Sequence, residues 1–457
     1  MDFYLKDYIN LQAENAFFFP KNFLPYIIID KKKYITLEEE FNSNGIKISE
    51  TFKGLRLRTG KEYFRKVYPA QSSALNFSES SFPAYKFLMS EVLTDDWLSI
   101  VDFHKKFSRD HALHQPLTSY IVFKLLGGGI SSESFKINDK YLLDICVDQI
   151  FNSPKATYLK EYLRKLDPNS DLLIDNPLSR EIWKNLFYET AMVSAIFHDI
   201  GYPWQYINRL NKSLDISDFN LKQFPSNVKY IQEIYKNRLI MHPFHGYNSS
   251  TFDTPCNWNE KLSSLISNSL SQTHGFCGAL GFLYLNDMIR KYPNSNNNAT
   301  QNLCIEWAAL GIMMHDMKGI YWGKSKSNQP ENDFLRLEFD KDPLSCIITL
   351  ADVMQDFERP TVNFSHNKED NSIFKYDFSC RNTTLELIDD TLEIKYFFKD
   401  DDERIKSIDF KKKDEREYFD TNYGYIDFSS VGIKKVKLSC EKKDSDEMDL
   451  HSTSSLL

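Results

Sequence analysis

The feature that most restricts the fold of this 457-residue chain is a set of polar side chains at the ends of apolar segments. One segment with helical spacing ends at Phe197 and runs directly into His198 and Asp199. Another ends at Met314 and runs into His315. A polar or charged group beside an apolar face is costly unless it is paired or bound to a cation. We therefore expect a fold in which these helix ends meet other polar groups.

Composition excludes several classes of protein. The chain is 42% hydrophobic and 14% aromatic, which is enough apolar material for a core and excludes wholesale disorder. Only 16 glycines and 16 prolines are present, so collagen-like and low-complexity scaffolds are excluded. The net charge of −8 offers no broad basic surface, so binding to long nucleic acid is not expected.

Cysteine usage and the N-terminus predict the cellular setting. Seven cysteines are scattered without a CxxC spacing, which favours reduced thiols over a disulfide framework or a thiolate zinc site. The N-terminus lacks a basic stretch followed by an apolar one, and no apolar run reaches about 18 residues. We expect a soluble, cytoplasmic protein with neither signal peptide nor membrane span.

The pattern of apolar residues predicts the fold class. Helical spacing begins near residue 92 and continues to about residue 365. Beyond 370, alternation on either side of Asp389 and Asp390 predicts a β-hairpin, and the acidic run 400–403 predicts a solvated loop. The expected fold is mainly α, a helical bundle with an irregular N-terminal cap and a small β-containing C-terminal region. The predicted domains are the cap at 1–91, the helical domain at 92–369 with an insert near 208–255, the β-containing region at 370–443 and a disordered tail at 444–457.

Several polar positions in the helical region are unusual. His198 and Asp199 close an apolar helix, and His111 and His114 lie in a segment that opens an upstream helix. His274 and His315 lie in segments of otherwise apolar character, and Asp352 lies on an apolar face. A lone histidine is more often a core or surface residue than a ligand, and a His-Asp dipeptide is common by chance. A series of such positions in consecutive helices is harder to explain in that way. Imidazole with carboxylate is a donor mixture that divalent metals favour.

The order of these residues resembles that of the HD-domain superfamily of metal-dependent phosphohydrolases. That family has a histidine, a His-Asp pair, up to two further histidines and a distant aspartate on a helical scaffold. The resemblance covers residues from about 100 to 360 and implies an HD-type helical bundle. The resemblance implies six metal ligands, which are His114, His198, Asp199, His274, His315 and Asp352. His111 competes with His114 for the first position, and the long gap between His114 and His198 implies an insertion.

The resemblance implies a site for one or two divalent ions, with the carboxylate of Asp199 able to bridge two. Two ions roughly 3.5–4 Å apart can activate a hydroxide and clamp phosphoryl oxygens during in-line attack. Ligation by histidine without cysteine fits Fe, Mn, Zn, Co or Ni better than Mg. The implied activity is cleavage of a phosphoester in a nucleotide or a related small phosphorylated molecule. Monoester hydrolysis, triphosphate removal and phosphodiester cleavage all remain open.

A phosphate substrate also needs cationic partners. Arg109 lies just over one helical turn before His114, and Lys318 lies close to His315 in sequence. Both are candidates for catalysis and for substrate binding, beside the catalytic Asp199. His245, in the insert, is a candidate substrate-binding residue, although a plain surface loop is the commoner explanation for such a position.

Two other functions compete with hydrolysis. The first is a sensor that binds a nucleotide or a metal without turnover, while the region after residue 370 contacts a protein partner or a second copy of the chain. The second is a structural helical adaptor whose histidines are incidental. Bound metal would separate the adaptor from the other two, and phosphate release would separate enzyme from sensor.

Overall fold

The computed structural model describes part of the chain in eleven stretches. They are residues 1–4, 7, 111–151, 179–202, 239, 273–290, 299–323, 329–357, 360–363, 375–378 and 380–442. Most of the predicted N-terminal cap, the insert apart from residue 239, and the predicted tail lie outside these stretches. Arg109 and His245 also lie outside them.

The described α-helices account for most of the buried core. They are α1 (His111–Leu125), α2 (Leu142–Phe151), α3 (Ser179–Phe197), α4 (His274–Arg290), α5 (Ala299–Met314), α6 (Lys318–Trp322), α7 (Pro343–Met354) and α8 (Asp401–Phe419). Within the described ranges, none of these helices has the length and apolar character needed to cross a membrane.

The described β-strands form one larger sheet and three small ladders. They are β1 (Asp2–Phe3), β2 (Lys136–Ile137), β3 (Lys140–Tyr141), β4 (Leu337–Glu338), β5 (Pro360–Asn363), β6 (Lys375–Phe378), β7 (Cys380–Ile388), β8 (Thr391–Phe398), β9 (Ile426–Asp427) and β10 (Lys435–Lys442). The larger sheet has the order β1-β7-β8-β10, and the ladders pair β2 with β3, β4 with β9 and β5 with β6.

Helix α3 lies at the centre of the helical part and packs against α1, α2, α5 and α7. Most of its apolar residues are buried, and the rings of Phe187 and Trp307 on α5 form a T-shaped contact with a centroid distance of 5.4 Å. Helix α4 packs against α5, and its Phe282 contacts Phe197 at the end of α3. The C-terminal end of α3 is therefore enclosed by its neighbours, which is the place where His198 follows.

Helix α7 begins with strong local signals. The side chain of Asp342 accepts a hydrogen bond from the N–H of Ser345 at 2.9 Å, and Pro343 occupies the first turn. An N-cap carboxylate satisfies an otherwise unpaired N–H, and proline in the first turn removes an N–H that has no helical acceptor. The start of α7 is thereby fixed, and with it the position of Asp352 two and a half turns later.

The prediction of a mainly α fold, an HD-type helical bundle, is wrong, because the described residues form a mixed α and β structure. The predicted hairpin is present as β7 and β8, which pair antiparallel. Strand β1 adds to the other side of β7, with Asp2 opposite Thr384. Strand β10 runs parallel to β8, with Lys435 opposite Thr391. Alternating residues reveal a strand, but they do not reveal a partner that is distant in sequence.

The acidic run 400–403 is not a loop, because it begins helix α8. The side chain of Asp400 accepts hydrogen bonds from the N–H groups of Asp402 at 2.8 Å and Glu403 at 3.2 Å. Acidic residues in a first turn also interact favourably with the helix dipole. Helix α8 connects β8 to β10 and packs against both, which supplies the crossover that a parallel strand pair requires.

Candidate metal centre

The structure brings all six candidate ligands to one buried place. Five of them are at most 4% exposed, and the side chain of Asp352 is 10% exposed. Two lie within helices, His114 in the first turn of α1 and Asp352 near the end of α7. The others lie at helix ends: His198 and Asp199 directly follow α3, His274 begins α4 and His315 directly follows α5.

His114, His198 and Asp352 form one group that could hold a metal ion. Nε2 of His114 is 2.8 Å from Oδ1 of Asp352 and 3.1 Å from Nε2 of His198. Nε2 of His198 is 3.7 Å from the same carboxylate oxygen. One ligand atom from each residue thus lies within 4.8 Å of the other two, close enough for a single cation to contact all three.

The carboxylate of Asp199 reaches all four imidazoles. Its Oδ1 lies 2.8 Å from Nε2 of His274, 3.4 Å from Nε2 of His198 and 3.5 Å from Nε2 of His315. Its Oδ2 lies 3.5 Å from Nε2 of His114. His198, Asp199 and His315 form a second group that could hold a metal ion, and His198 belongs to both groups.

The outward nitrogen of each histidine is held by a partner, which fixes the tautomer of the ring. Nδ1 of His198 lies 2.7 Å from the carbonyl oxygen of Ala195, and Nδ1 of His315 lies 2.6 Å from that of Ile312. A carbonyl oxygen only accepts, so both Nδ1 atoms carry the hydrogen and each neutral ring has a lone pair on Nε2. Histidines that bind metals are usually held in this way.

Side chains hold the other two rings. The amide of Gln355 donates from Nε2 to the carbonyl oxygen of Phe357 at 3.0 Å, which leaves its Oε1 to accept from Nδ1 of His114. Nδ1 of His274 donates to Oδ2 of Asp316 at 2.8 Å. All four Nε2 atoms therefore face the centre as potential ligand atoms.

The inward Nε2 atoms meet in two close pairs, a geometry that could hold a cation. His114 and His198 approach to 3.1 Å, and His274 and His315 approach to 3.0 Å. Two lone pairs at such distances repel, and a shared proton or a bound metal ion would relieve this repulsion. Four imidazoles with carboxylates suit the borderline divalent metals, and metal binding to such ligands displaces protons.

The carboxylates of the centre also favour the binding of positive charge. Burial lowers the pKa of His274, but the carboxylates of Asp316 and Asp199 outweigh burial and raise that pKa to about 9. Burial also lowers the pKa of His198, and Asp199 with Asp352 outweighs it and raises that pKa. Burial raises the pKa of Asp352, whereas its contacts with His114 and His198 hold it well below its ordinary value. The centre thus attracts positive charge.

Asp316 fastens the start of α4 to the end of α5. Its Oδ2 accepts the N–H groups of His274 at 2.8 Å and Gly275 at 3.3 Å. These N–H groups begin a helix and have no acceptor within it. The ring of Tyr202 stacks on the ring of His274 at a centroid distance of 3.8 Å and an angle of 16°. Together these contacts fix the orientation of the His274 ring.

The turn that carries His198 and Asp199 passes very close to helix α4. A Cβ placed on Gly201 would lie 1.8 Å from the carbonyl oxygen of His274 and 2.5 Å from the backbone nitrogen of Gly278. Only a residue without a side chain permits this approach. The approach brings Asp199 next to His274.

We expect Asp316→Asn to weaken metal binding by about 10–100-fold, the usual effect of changing a residue that orients a ligand. The amide oxygen can still accept the N–H groups of α4, so the helix start is retained. A neutral amide is a weaker acceptor than a carboxylate for Nδ1 of His274, which makes Nε2 a weaker ligand. Calorimetric titration of metal-free protein with Mn²⁺ measures the change. Asp144→Asn, on α2 beside Lys184, is the control, and equal affinities in the two variants would contradict the assigned role.

The structure gives Lys318 partners on helix α8. Its Nζ is 2.9 Å from Oε2 of Glu417 and 4.0 Å from the centre of the Tyr418 ring. The charge of Lys318 is therefore balanced by α8, and these contacts do not support the catalytic and substrate-binding roles predicted for it. Helix α1 begins at His111, but the side chain of His111 lies outside the described residues, so its competition with His114 stays a prediction.

Sequence reasoning did not assign roles to Asp316 and Gln355. Asp316 forms a second His-Asp dipeptide with His315, and Gln355 lies three residues after Asp352 at the end of an apolar helix. Both are polar residues beside a candidate ligand. Their nearness in sequence to a candidate ligand is the feature that could have indicated their roles.

No family model, curated protein or solved structure matches the chain. A function for this chain must therefore be argued from its own side chains.

Proposed function

We propose that this chain is a metal-dependent phosphohydrolase that cleaves a phosphoester of a nucleotide or a related small phosphorylated molecule. The observation that carries the proposal is the contact of one carboxylate, on Asp199, with four imidazole nitrogens at 2.8–3.5 Å. The order of the ligands along the chain resembles that of the HD-domain superfamily, which supports the choice of reaction class.

The residues of the chain divide the work as follows. One or two divalent ions, when bound, would supply a water of lowered pKa and a Lewis acid for a phosphoryl oxygen. Asp199 would be the central ligand, because its carboxylate contacts all four imidazoles. His198 belongs to both groups of ligands. Asp352 lies at the edge of the site, because its side chain, at 10% exposed, is the most exposed of the six. A substrate would therefore approach from the side of Asp352, while the buried histidines exclude bulk water from the far side.

The charges of the site and of the whole chain support the choice of a small phosphorylated substrate. A phosphate group brings negative charge that the bound ions and a basic residue would balance. Arg109 remains the predicted basic residue, because Lys318 is paired with Glu417. The net charge of −8 favours a small substrate over a long nucleic acid.

The pairing of Lys318 also gives some support to a second candidate function, a sensor that binds metal or nucleotide without turnover. A hydrolase needs positive charge near the leaving phosphate, and one of the two predicted basic residues is occupied elsewhere. Turnover separates the two candidates.

The test combines metal analysis with a substrate screen. We expect the purified protein to contain Fe, Mn or Zn at about one or two ions per chain, because six protein ligands are about the number that one-metal and two-metal sites use. We expect it to release phosphate from nucleoside mono-, di- or triphosphates, or to cleave bis-p-nitrophenyl phosphate, in the presence of Mn²⁺. Chelation should abolish the activity and added Mn²⁺ should restore it. Protein without bound metal and without activity after addition of each metal would overturn the proposal, and bound metal without activity would leave the sensor.

A further inference from the structure

We infer that the region 380–442, here called the C-terminal region, positions the metal centre by holding the ends of the two helices that present His315 and Asp352. The inference rests on the proposed metal centre and adds positioning residues to it, namely Tyr425, Tyr396 and Thr383.

Tyr425 holds the end of helix α5. Its hydroxyl donates a hydrogen bond to the carbonyl oxygen of Met314, the last residue of α5 and the neighbour of His315. The last carbonyl groups of a helix have no partner within it. Tyr425 is fully buried, so water does not replace the bond if the hydroxyl is removed. The position of His315 is therefore tied to a side chain more than a hundred residues away.

Tyr396 and Thr383 hold the end of helix α7 in the same way. The hydroxyl of Tyr396 donates to the carbonyl oxygen of Val353 at 2.9 Å, and that of Thr383 donates to the carbonyl oxygen of Met354 at 3.2 Å. Val353 directly follows Asp352. Both donors are fully buried and lie on neighbouring strands of the sheet, β8 and β7. The sheet thus fixes the carboxyl end of the helix that carries the ligand.

An ion pair between a buried lysine and a partly exposed aspartate reinforces this attachment. Nζ of Lys411, on α8, lies 3.1 Å from Oδ2 of Asp356 and 3.9 Å from the centre of the Tyr396 ring. Burial lowers the pKa of Lys411, but Asp356 and Tyr396 outweigh it and raise that pKa, so the lysine stays charged. Asp356 lies one turn beyond Asp352. Lys411 therefore links helix α8 to Tyr396 of the sheet and to Asp356 just after α7.

The hydroxyl groups act on the metal through short lengths of backbone. Met314 and Val353 are each adjacent in sequence to a ligand, so a displacement of either carbonyl group displaces the ligand atom. Residues that orient ligands usually change metal affinity by about 10–100-fold when altered. The coupling is reciprocal. If the C-terminal region strengthens metal binding, then metal binding must stabilise the C-terminal region by the same free energy.

The first test measures metal affinity in matched hydroxyl variants. Metal-free protein is titrated with Co²⁺, followed by its visible absorption, in wild type, Tyr425→Phe and the double variant Tyr396→Phe with Thr383→Val. We expect affinity to fall about tenfold or more in both variants. Tyr423→Phe is the control, because its hydroxyl accepts a bond from Gln329 at an exposed position, and it should bind as wild type does. A purely structural role would lower the stability of the metal-free protein but leave the Co²⁺ affinity and spectrum unchanged.

The second test needs no variant. Hydrogen exchange of strands β7 and β8 and of helix α8 is compared in wild-type protein with Mn²⁺ and with Ca²⁺, an oxygen-seeking ion that a histidine-rich site disfavours. We expect Mn²⁺ to slow exchange in these segments. Unchanged exchange on Mn²⁺ binding, or variants that bind Co²⁺ as wild type does, would overturn the inference alone. Wild-type protein that binds neither Co²⁺ nor Mn²⁺ would overturn the proposed function, and the inference with it.

Discussion

Replacing Asp199 by alanine is expected to remove bound metal and to reduce phosphate release on the order of 10³-fold, while the chain stays folded. The carboxylate contacts all four imidazoles, so its removal takes away a contact of every histidine of the centre at once. A metal contributes several kcal/mol to the transition state, and each 1.4 kcal/mol corresponds to a tenfold change in rate. The apolar core does not depend on this carboxylate, so circular dichroism should stay close to that of wild type.

Two further variants make this result interpretable. Asp199→Asn keeps the shape of the side chain and removes its charge, so it should lose metal as the alanine variant does. Asp390→Asn removes an exposed carboxylate that pairs with Lys434 on the surface, and it should retain both metal and activity. If Asp199→Ala kept a full complement of metal, Asp199 would not be a ligand. If it unfolded, Asp199 would have a structural role instead.

Replacing Gly201 by alanine should lower the free energy of unfolding by about 3 kcal/mol, at the upper end for overpacking. The added Cβ would lie 1.8 Å from the carbonyl oxygen of His274, and both groups belong to backbone that cannot rotate away. Relief requires the turn after α3 to move from α4, which separates Asp199 from His274. We therefore expect a second effect, a loss of metal affinity. Urea unfolding followed by circular dichroism measures the first effect, and metal titration measures the second.

The control for this variant is another glycine in the same chain. A Cβ on Gly319, in helix α6, would meet no atom within 4 Å. Gly319→Ala should stabilise the protein by about 0.5–1 kcal/mol, because alanine favours a helix more than glycine does. If Gly201→Ala were no more destabilising than Gly319→Ala, the close approach of the two backbones would not be required.

Several candidate ligands are conspicuous in the sequence because they interrupt or follow an apolar pattern, and the order of residues that resembles the HD-domain superfamily supplies the rest. His198, His315 and Asp352 each lie within or directly after an apolar helix, and such helices bury whatever they carry. Asp316 and Gln355 were not assigned, since nothing local distinguishes an aspartate that orients a ring from one that caps a helix. Asp316 does both. Lys318 was assigned to the substrate from its nearness to His315 in sequence, but Glu417, on a helix a hundred residues later, decides its position.

The prediction of the fold class was wrong, for a related reason. Local alternation predicted the hairpin of β7 and β8, but the pairing of β8 with β10 depends on the crossover helix α8. The acidic run at the start of that helix is typical of a solvated loop, whereas in the structure it forms an N-terminal turn with Asp400 as its cap. Interactions between distant segments therefore account for most of what the sequence did not reveal.

The pairing of strand β1 with strand β7 has a consequence for the synthesis of this protein. The partners of Asp2 and Phe3, Thr384 and Thr383, emerge from the ribosome some 380 residues after them. Pairing across such a separation is slow because the intervening chain must first be ordered. Until β1 pairs with it, the edge of β7 is open to the wrong strand, so overproduction at low temperature or with chaperones should improve the yield of native protein.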